Sequence, residues 1–163
     1  MMRPDDFIVS KTDPKGKITY CNRIFIELSG YREAELLGQP HSVIRHPDMP
    51  RAVFRLLWQT LQQGEEFFGY VKNRCKNGQY YWVMANVTPS YDVDNKLLGY
   101  YSVRRCPQRS ALEKIEPVYR RMIEEESRHS SARQAMDASS QIFHDFVNQS
   151  GHEYNELILE LEK

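Results

Sequence analysis

Between Phe67 and Arg105 the chain runs through three β-prone stretches joined by two short turns. Phe67 to Lys76 leads into Lys76-Asn77-Gly78-Gln79, in which Asn77-Gly78 is a strong hairpin signal. Gln79 to Tyr91 returns, and the loop Asp92 to Lys96 turns the chain again into Leu97 to Arg105. The stretch predicts a three-strand meander. Strand parity assigns its faces. Phe67, Gly69, Val71 and Asn73 share a face of the first strand, and Tyr81, Val83, Ala85 and Val87 share one of the second. Leu97, Gly99, Tyr101 and Val103 share one of the third. These sets are apolar or small and are assigned to the inner face. Asn73 is the exception, because an amide on an apolar face must find a partner or cost stability. A ligand contact and a bond to nearby backbone are both open for it.

Ahead of the meander, Phe7 to Val9 and Lys17 to Cys21 are β-prone and flank the turn signature Asp13 to Gly16, which predicts a hairpin. Asn22 stands at a helix N-cap position before Ile24, Phe25 and Leu28, and Gly30 is a helix stop. Arg32 to Gly38 reads as a second short helix. Pro50 to Gln63 is the clearest helix, with Pro50 in its first turn. Val53, Leu56, Leu57 and Leu61 form its apolar stripe, with Phe54 and Trp58 on the flank. Core packing accounts for Trp58 unless a ligand lies against it.

The segment His41 to Pro50, HSVIRHPDMP, is rich in polar groups and carries Pro47 and Pro50. Proline lacks an amide donor and fixes φ, and it pushes the preceding residues, His46 and Met49, toward extended geometry. Arg45, His46 and Asp48 are therefore displayed on a stiff, irregular turn. Two roles are open for it. Asp48 caps the next helix and pairs with Arg45, or Arg45 and His46 grip an anionic or hydrogen-bonding ligand.

Cys106-Pro107 closes the sheet, and from Ser110 the pattern is helical and charged. Leu112, Ile115, Tyr119, Met122 and Ile123 line one face, and Pro117 predicts a kink or a new helix start. Arg128 to Arg133 is a polar break. Ala135, Met136, Ile142, Phe143, Phe146 and Val147 form another helical face, Ser150 to His152 interrupts it, and Tyr154 to Lys163 is a short final helix. Such faces suit a partner or a second copy of the chain, or they fold back on the chain's own sheet.

Lysine and arginine number 22, as do aspartate and glutamate, so no basic surplus draws the chain to nucleic acid. No run approaches the roughly 18 apolar residues of a membrane span. The start MMRPDDFIVSKTD lacks an apolar signal core, and the expected location is cytoplasmic. Cys21, Cys75 and Cys106 are odd in number and widely spaced, which fits neither a disulfide frame nor a metal or haem-attachment motif. Reduced, structural thiols are expected. No nucleophile-base pair, phosphate loop or metal cluster stands out, so the chain reads as a non-enzyme.

The order of elements, two strands, short helices, a longer helix and a three-strand meander, resembles a PAS domain: an α+β fold with a five-stranded antiparallel sheet. The run GYREAELLGQPHSVIRHPDMPRAVFRLLWQTLQQGEEFFGYVKNRCKNGQYYWVMANVTP resembles the sensory PAS domain of the bacterial aerotaxis-receptor family. GQPH, IRHPDMP, Trp58, VKNR with KNG, and YWV with AN carry the resemblance, and IEPVYRRM after the domain is similar to the family's continuation. GY and KNG are common among PAS domains, whereas RHPDMP is far more specific.

The resemblance implies non-covalent FAD, whose redox state reports on electron transport to a chemotaxis pathway. It places Arg45, His46 and Asp48 on positions associated with FAD binding, and Trp58 and Asn73 also match family positions. Phe67 stands where the family has tryptophan, so ring stacking there differs. No membrane span follows, which makes the chain either a free-standing sensor or a piece of a longer receptor. The expected division is a PAS sensor over residues 6–107 and a helical signalling or oligomerisation segment over 108–163. Its expected partner is a chemotaxis receptor or signalling protein, or a second copy, reached through the C-terminal helices. A haem-binding gas sensor, with His41 or His46 on the iron, and a cofactor-free dimerisation module are the alternatives. A light sensor of the LOV type needs a cysteine before the long helix, and His41 to Pro50 has none.

Overall fold

A computed structural model of the protein describes residues 2–163. In chain order the elements are β1 (Phe7–Thr12), β2 (Ile18–Cys21), α1 (Arg23–Ser29), α2 (Glu33–Leu36), a 3-10 turn (His41–Ile44), α3 (Arg51–Gln62), β3 (Phe67–Arg74), β4 (Tyr80–Tyr91), β5 (Leu97–Arg105), α4 (Arg109–Ser127), α5 (Ala132–Ser150) and α6 (Tyr154–Glu160). The strands form one antiparallel five-stranded sheet in the order β2-β1-β5-β4-β3. Pairing β1 with β5 brings the first strand beside the last.

Local signals start and stop the elements. The Asn22 side chain caps α1 by accepting from the Phe25 amide at 3.1 Å, and it also bridges to β1 by donating to the Phe7 carbonyl at 2.8 Å. The segment before α3 departs from the expectation of irregular backbone throughout. Its two prolines come late, so the Val43 and Arg45 amides remain free to bond back to Pro40 and Ser42, both at 3.0 Å, and His41–Ile44 closes into a 3-10 turn. Pro50 takes the N-cap of α3, one position earlier than expected. Pro117 lies inside α4, which runs through it as one helix rather than ending there.

One assignment is corrected. Beyond its start, Tyr100, Ser102 and Arg104 form the inner face of β5, not Gly99, Tyr101 and Val103 as strand parity alone assigns; of the four residues assigned, Leu97 alone keeps its face, paired with Tyr91. The cause is a bulge. Tyr91 pairs with Leu97, but Ser90 pairs with Gly99, so Leu98 is left over. One extra residue turns every later side chain to the opposite face. Val87 therefore faces Ser102, and Ala85 faces Arg104. Arg104 is 2% exposed, whereas Tyr101 is 37% exposed.

The C-terminal helices fold back on the chain's own sheet. β3 is an edge strand, and its outward carbonyls are covered in turn: Phe68 by the Tyr154 hydroxyl, Tyr70 by the Tyr119 hydroxyl at 2.9 Å, and Lys72 by the His46 amide at 3.3 Å. An edge left bare would template pairing with another chain. Ile115, Tyr119 and Met122 of α4, Phe143 of α5, and Leu157 and Ile158 of α6 join one apolar core with Val71, Val83 and Ala85 of the sheet. The apolar faces legible in the sequence thus pack against the chain's own core, with Leu112, Ile142, Phe146 and Val147 only partly buried. Among the described residues, no helix is long and apolar enough to cross a membrane, and no three His, Cys, Asp or Glu side chains gather into a metal site.

Candidate functional site: a pocket on the inner face of the sheet

α3 and the 41–45 segment lie over the inner face of the sheet and leave a pocket of about 300 Å³ between. The sheet supplies its floor with Val71, Asn73, Ala85, Val87, Ser102 and Arg104, and α3 supplies Phe54, Leu57, Trp58 and Leu61. Most of this wall is apolar, which suits a flat organic group, with a few polar atoms left to orient it.

Those polar atoms lack partners. Among the described residues, the Asn73 Nδ2, Arg104 Nε and Nη1, Tyr81 hydroxyl and Thr12 Oγ1 are buried without a hydrogen bond. Asn73, Arg104 and Thr12 line the pocket, and Tyr81 pairs with Asn73 across β3 and β4. Buried donors are nearly always bonded, and leaving a charged one bare is costly. Arg104 donates from Nη2 to Ser10 Oγ at 2.7 Å, and its guanidinium carbon lies 4.5 Å from the centre of the Phe25 ring. No carboxylate among the described residues forms an ion pair with it. Burial brings its pKa down to about 10, which leaves it charged at neutral pH.

Arg45 stands at the mouth. Its guanidinium stacks on Phe54, 3.8 Å from the ring centre, and its backbone bridges to that of Asn73. It too has no ion-pair partner among the described residues. Burial lowers its pKa, and the Glu126 carboxylate partly opposes that. Trp58, 39% exposed, meets Tyr100 edge-on at 5.3 Å. Beyond Ser42, Arg45, Phe54 and Trp58 the mouth continues into a groove of about 940 Å³ between the polar turn, α3, α4 and α5.

The six candidates from the sequence are not all brought together. Arg45, Trp58 and Asn73 line the pocket. His46 lines only the outer groove, with its ring edge-on to Tyr80 at 5.7 Å and its Nδ1 accepting from the Asp48 amide at 3.0 Å. Asp48 reaches neither cavity. It accepts from Lys72 Nζ at 2.8 Å, which lowers its pKa and ties the turn to β3. Phe67 is buried against Tyr154, ring centres 6.0 Å apart, and does not line the pocket. Arg104 and Ser10 were not among the candidates, and His41 was one only as an iron ligand in the haem alternative. On the uncorrected parity, Arg104 belongs to the solvent side.

His41 faces the same floor. Its Nε2 lies 3.2 Å from Ser10 Oγ, and its ring stacks on Phe25 at 5.9 Å. With Arg104 donating to Ser10, the serine proton is free to go to His41 Nε2, which assigns the neutral tautomer protonated at Nδ1. Burial, and then the Arg104 charge, depress its pKa from 6.5 to about 3. Between those values the unfolded chain binds a proton that the folded chain does not. The stability His41 contributes is whole above pH 6.5 and declines as pH falls toward 3. The slope is about 1.4 kcal/mol per pH unit. Urea midpoints measured from about pH 7 down to about pH 4 should fall in this way. His41→Gln should flatten the decline, and an unaltered slope in that variant would show that another group carries it.

A family model described as PAS fold matches residues 18–104. The aerotaxis receptor of Escherichia coli (strain K12) is 45% identical over 116 residues, which cover 71% of this chain and 23% of that protein. The nitrogen fixation regulatory protein of Klebsiella pneumoniae is 30% identical over 105 residues, 64% of this chain and 21% of that protein. The chain thus spans less than a quarter of the length of these relatives. The dark structure of the blue-light photoreceptor Aureochrome1 LOV matches with a TM-score of 0.60 at 19% identity, over 73% of this chain and 86% of that one. The family match runs from β2 through Arg104 and so takes in the polar turn, α3 and the floor of the pocket: the chain belongs to the PAS-fold family, and its sensory domain is of the aerotaxis-receptor type.

Proposed function

We propose that this chain is a flavin-binding PAS sensor, with FAD as its ligand, that reports redox or oxygen state to a chemotaxis pathway and is not an enzyme. The observation that carries this reading is the set of unpartnered buried donors on an otherwise apolar pocket floor. A bound flavin supplies reversible electron uptake. Its ring system offers the acceptors that Asn73 and Arg104 lack, and its flat body matches the slot between the sheet and α3. A pocket of about 300 Å³ takes the ring system and leaves a phosphate-bearing tail to leave by the mouth. There the unpaired guanidinium of Arg45 offers a charge-assisted contact, and the outer groove offers room. This layout favours FAD over a flavin without a tail.

Residues 6–107 act as the sensor and 108–163 as its signalling segment. Arg104 holds a fixed positive charge at the pocket floor, so it favours any state of the ligand that gains electron density. Asn73 can present a donor or an acceptor by turning its amide over. β5 ends at Arg105 and α4 begins at Arg109, so strain at Arg104 has a short route to the C-terminal helices. A redox change shifts the arrangement of these helices only by its differential stabilisation of two states. The haem reading has less support: His41 is bonded to Ser10, and His46 lies outside the pocket.

Freshly purified protein should be yellow, with a flavin spectrum releasable by heat, whereas a Soret band would establish haem instead. Protein that is colourless and cannot be reconstituted with FAD would overturn the reading. Arg45→Ala should lower FAD affinity about tenfold or more, the weight of one charge-assisted contact of roughly 1.5–3 kcal/mol. His46→Ala and Asp48→Ala should lower it less, because they act through the shape of the turn. Wild-type affinity in all three, by fluorescence titration, would place the site elsewhere.

A further inference from the structure

α3 begins at Arg51 behind Pro50, and proline has no side chain with which to cap it. The first amides of a helix need acceptors from somewhere. Here they come from a residue 75 positions away. The Glu126 carboxylate, near the end of α4, accepts from the Arg51 amide at 3.1 Å and the Ala52 amide at 3.3 Å. The same carboxylate accepts from the Ser139 hydroxyl of α5 at 2.7 Å. A negative charge at a helix N-terminus is also favoured by the helix dipole. The neighbouring Glu125 is used differently: it pairs locally with Arg128 and His129, just past the end of α4. A second tie, Arg55 of α3 to Asp137 of α5, lies one helical turn further on.

We propose that Glu126 is a positioning residue for the ligand pocket, and that it makes docking of the α4–α5 hairpin and occupancy of the pocket depend on each other. The geometry is that of one rigid element held at two places. α3 presents Phe54, Leu57 and Trp58 to the pocket, and Arg45 stacks on Phe54. Its N-terminus is held by Glu126. A ligand that fixes the inner face of α3 therefore fixes the amides that Glu126 binds. By linkage, the hairpin strengthens ligand binding by the same factor with which the ligand strengthens hairpin docking. The hairpin is thereby a readout of the pocket, through a contact distinct from the β5 route. The ligand half of this inference rests on the flavin reading above; the cap itself does not.

Hydrogen exchange on the full chain tests both halves, in wild type, Glu126→Ala, and Glu126→Ala with Pro50→Ser, which restores a local cap. Without flavin, Glu126→Ala should speed exchange at residues 51–55 and 132–150 by about fivefold, the size of one lost helix cap. With FAD, the wild type should slow at 132–150, and Glu126→Ala should lose that response and bind FAD a few-fold more weakly. Pro50→Ser should restore FAD affinity while leaving 132–150 unresponsive, because a local cap holds α3 but not the hairpin. Unchanged exchange in flavin-free Glu126→Ala overturns the proposal, and so does a Pro50→Ser variant that restores both readouts. A wild type that binds FAD with no change at 132–150 overturns the coupling. A wild type that takes up no flavin overturns the coupling together with the flavin reading, and the flavin-free arm then decides the cap on its own.

Discussion

Arg104→Met is expected to abolish measurable flavin binding at ordinary concentrations and, in the same protein, to raise the stability of the flavin-free fold. The two effects have one cause. Arg104 is a buried cation with two of its nitrogens unbonded and no carboxylate in reach. Folding strips its water without returning equivalent contacts, so the empty domain is destabilised by it. Methionine has a similar reach, no charge and a flexible thioether that fills irregular space. Removing the charge should stabilise the flavin-free protein by about 1–3 kcal/mol, the order seen when buried charges give way to apolar side chains. For a chain of this length that is about 2–4 °C of melting temperature per kcal/mol. The same change removes two charge-assisted contacts to a ligand, which costs about a hundredfold or more in affinity. Thermal melts of the flavin-free protein and fluorescence titration with FAD measure the two sides separately. A variant that is less stable and still binds would make Arg104 a structural residue and would sink its role in the pocket.

Gly99→Ala is the second large effect, and it acts on the frame rather than the ligand. Gly99 follows the residue left over by the β4–β5 bulge and has φ of +149°, where side chains are rarely found. A Cβ there would sit 1.8 Å from the Thr12 carbonyl oxygen and 2.9 Å from its carbon. Both are backbone atoms of β1, so no side-chain rotation relieves the overlap. The chain must open the β1–β5 pairing or undo the bulge. Backbone strain and overpacking each cost about 1–3 kcal/mol, so a loss on the order of 3 kcal/mol or more is expected. If the bulge relaxes instead, the register slips by one and Arg104 leaves the pocket. Urea denaturation should show the lost stability, and any folded fraction should fail to bind FAD. A variant of wild-type stability would show that the close approach of β1 and β5 is not what holds the bulge in place.

Much of this architecture is legible in local chemistry. Asn77-Gly78 specifies its hairpin, Asn22 caps α1, and the stripe on α3 faces the sheet, because each signal acts within a few residues. Asn73 was identifiable as an amide out of place on an apolar strand face, and Arg45 as a cation displayed on a stiff turn, whereas Trp58 read as core packing and became a pocket candidate only through the family resemblance. The faces of β5 were not legible. Tyr100, Ser102 and Arg104 read as a solvent face by composition, and a bulge of one residue, where Gly99 comes close to the Thr12 backbone of β1, decided otherwise. The cap of α3 was equally hidden, since Pro50 indicates only that a local cap is missing, and the acceptor arrives from α4 once the hairpin has folded over. The amino-acid sequence determined by itself which segments become strands and helices, and that a stiff polar turn precedes α3. Only the tertiary structure decided which charge lies buried in the pocket and which carboxylate holds the helix above it, because register and long-range hydrogen bonds depend on chain segments that sequence proximity does not connect.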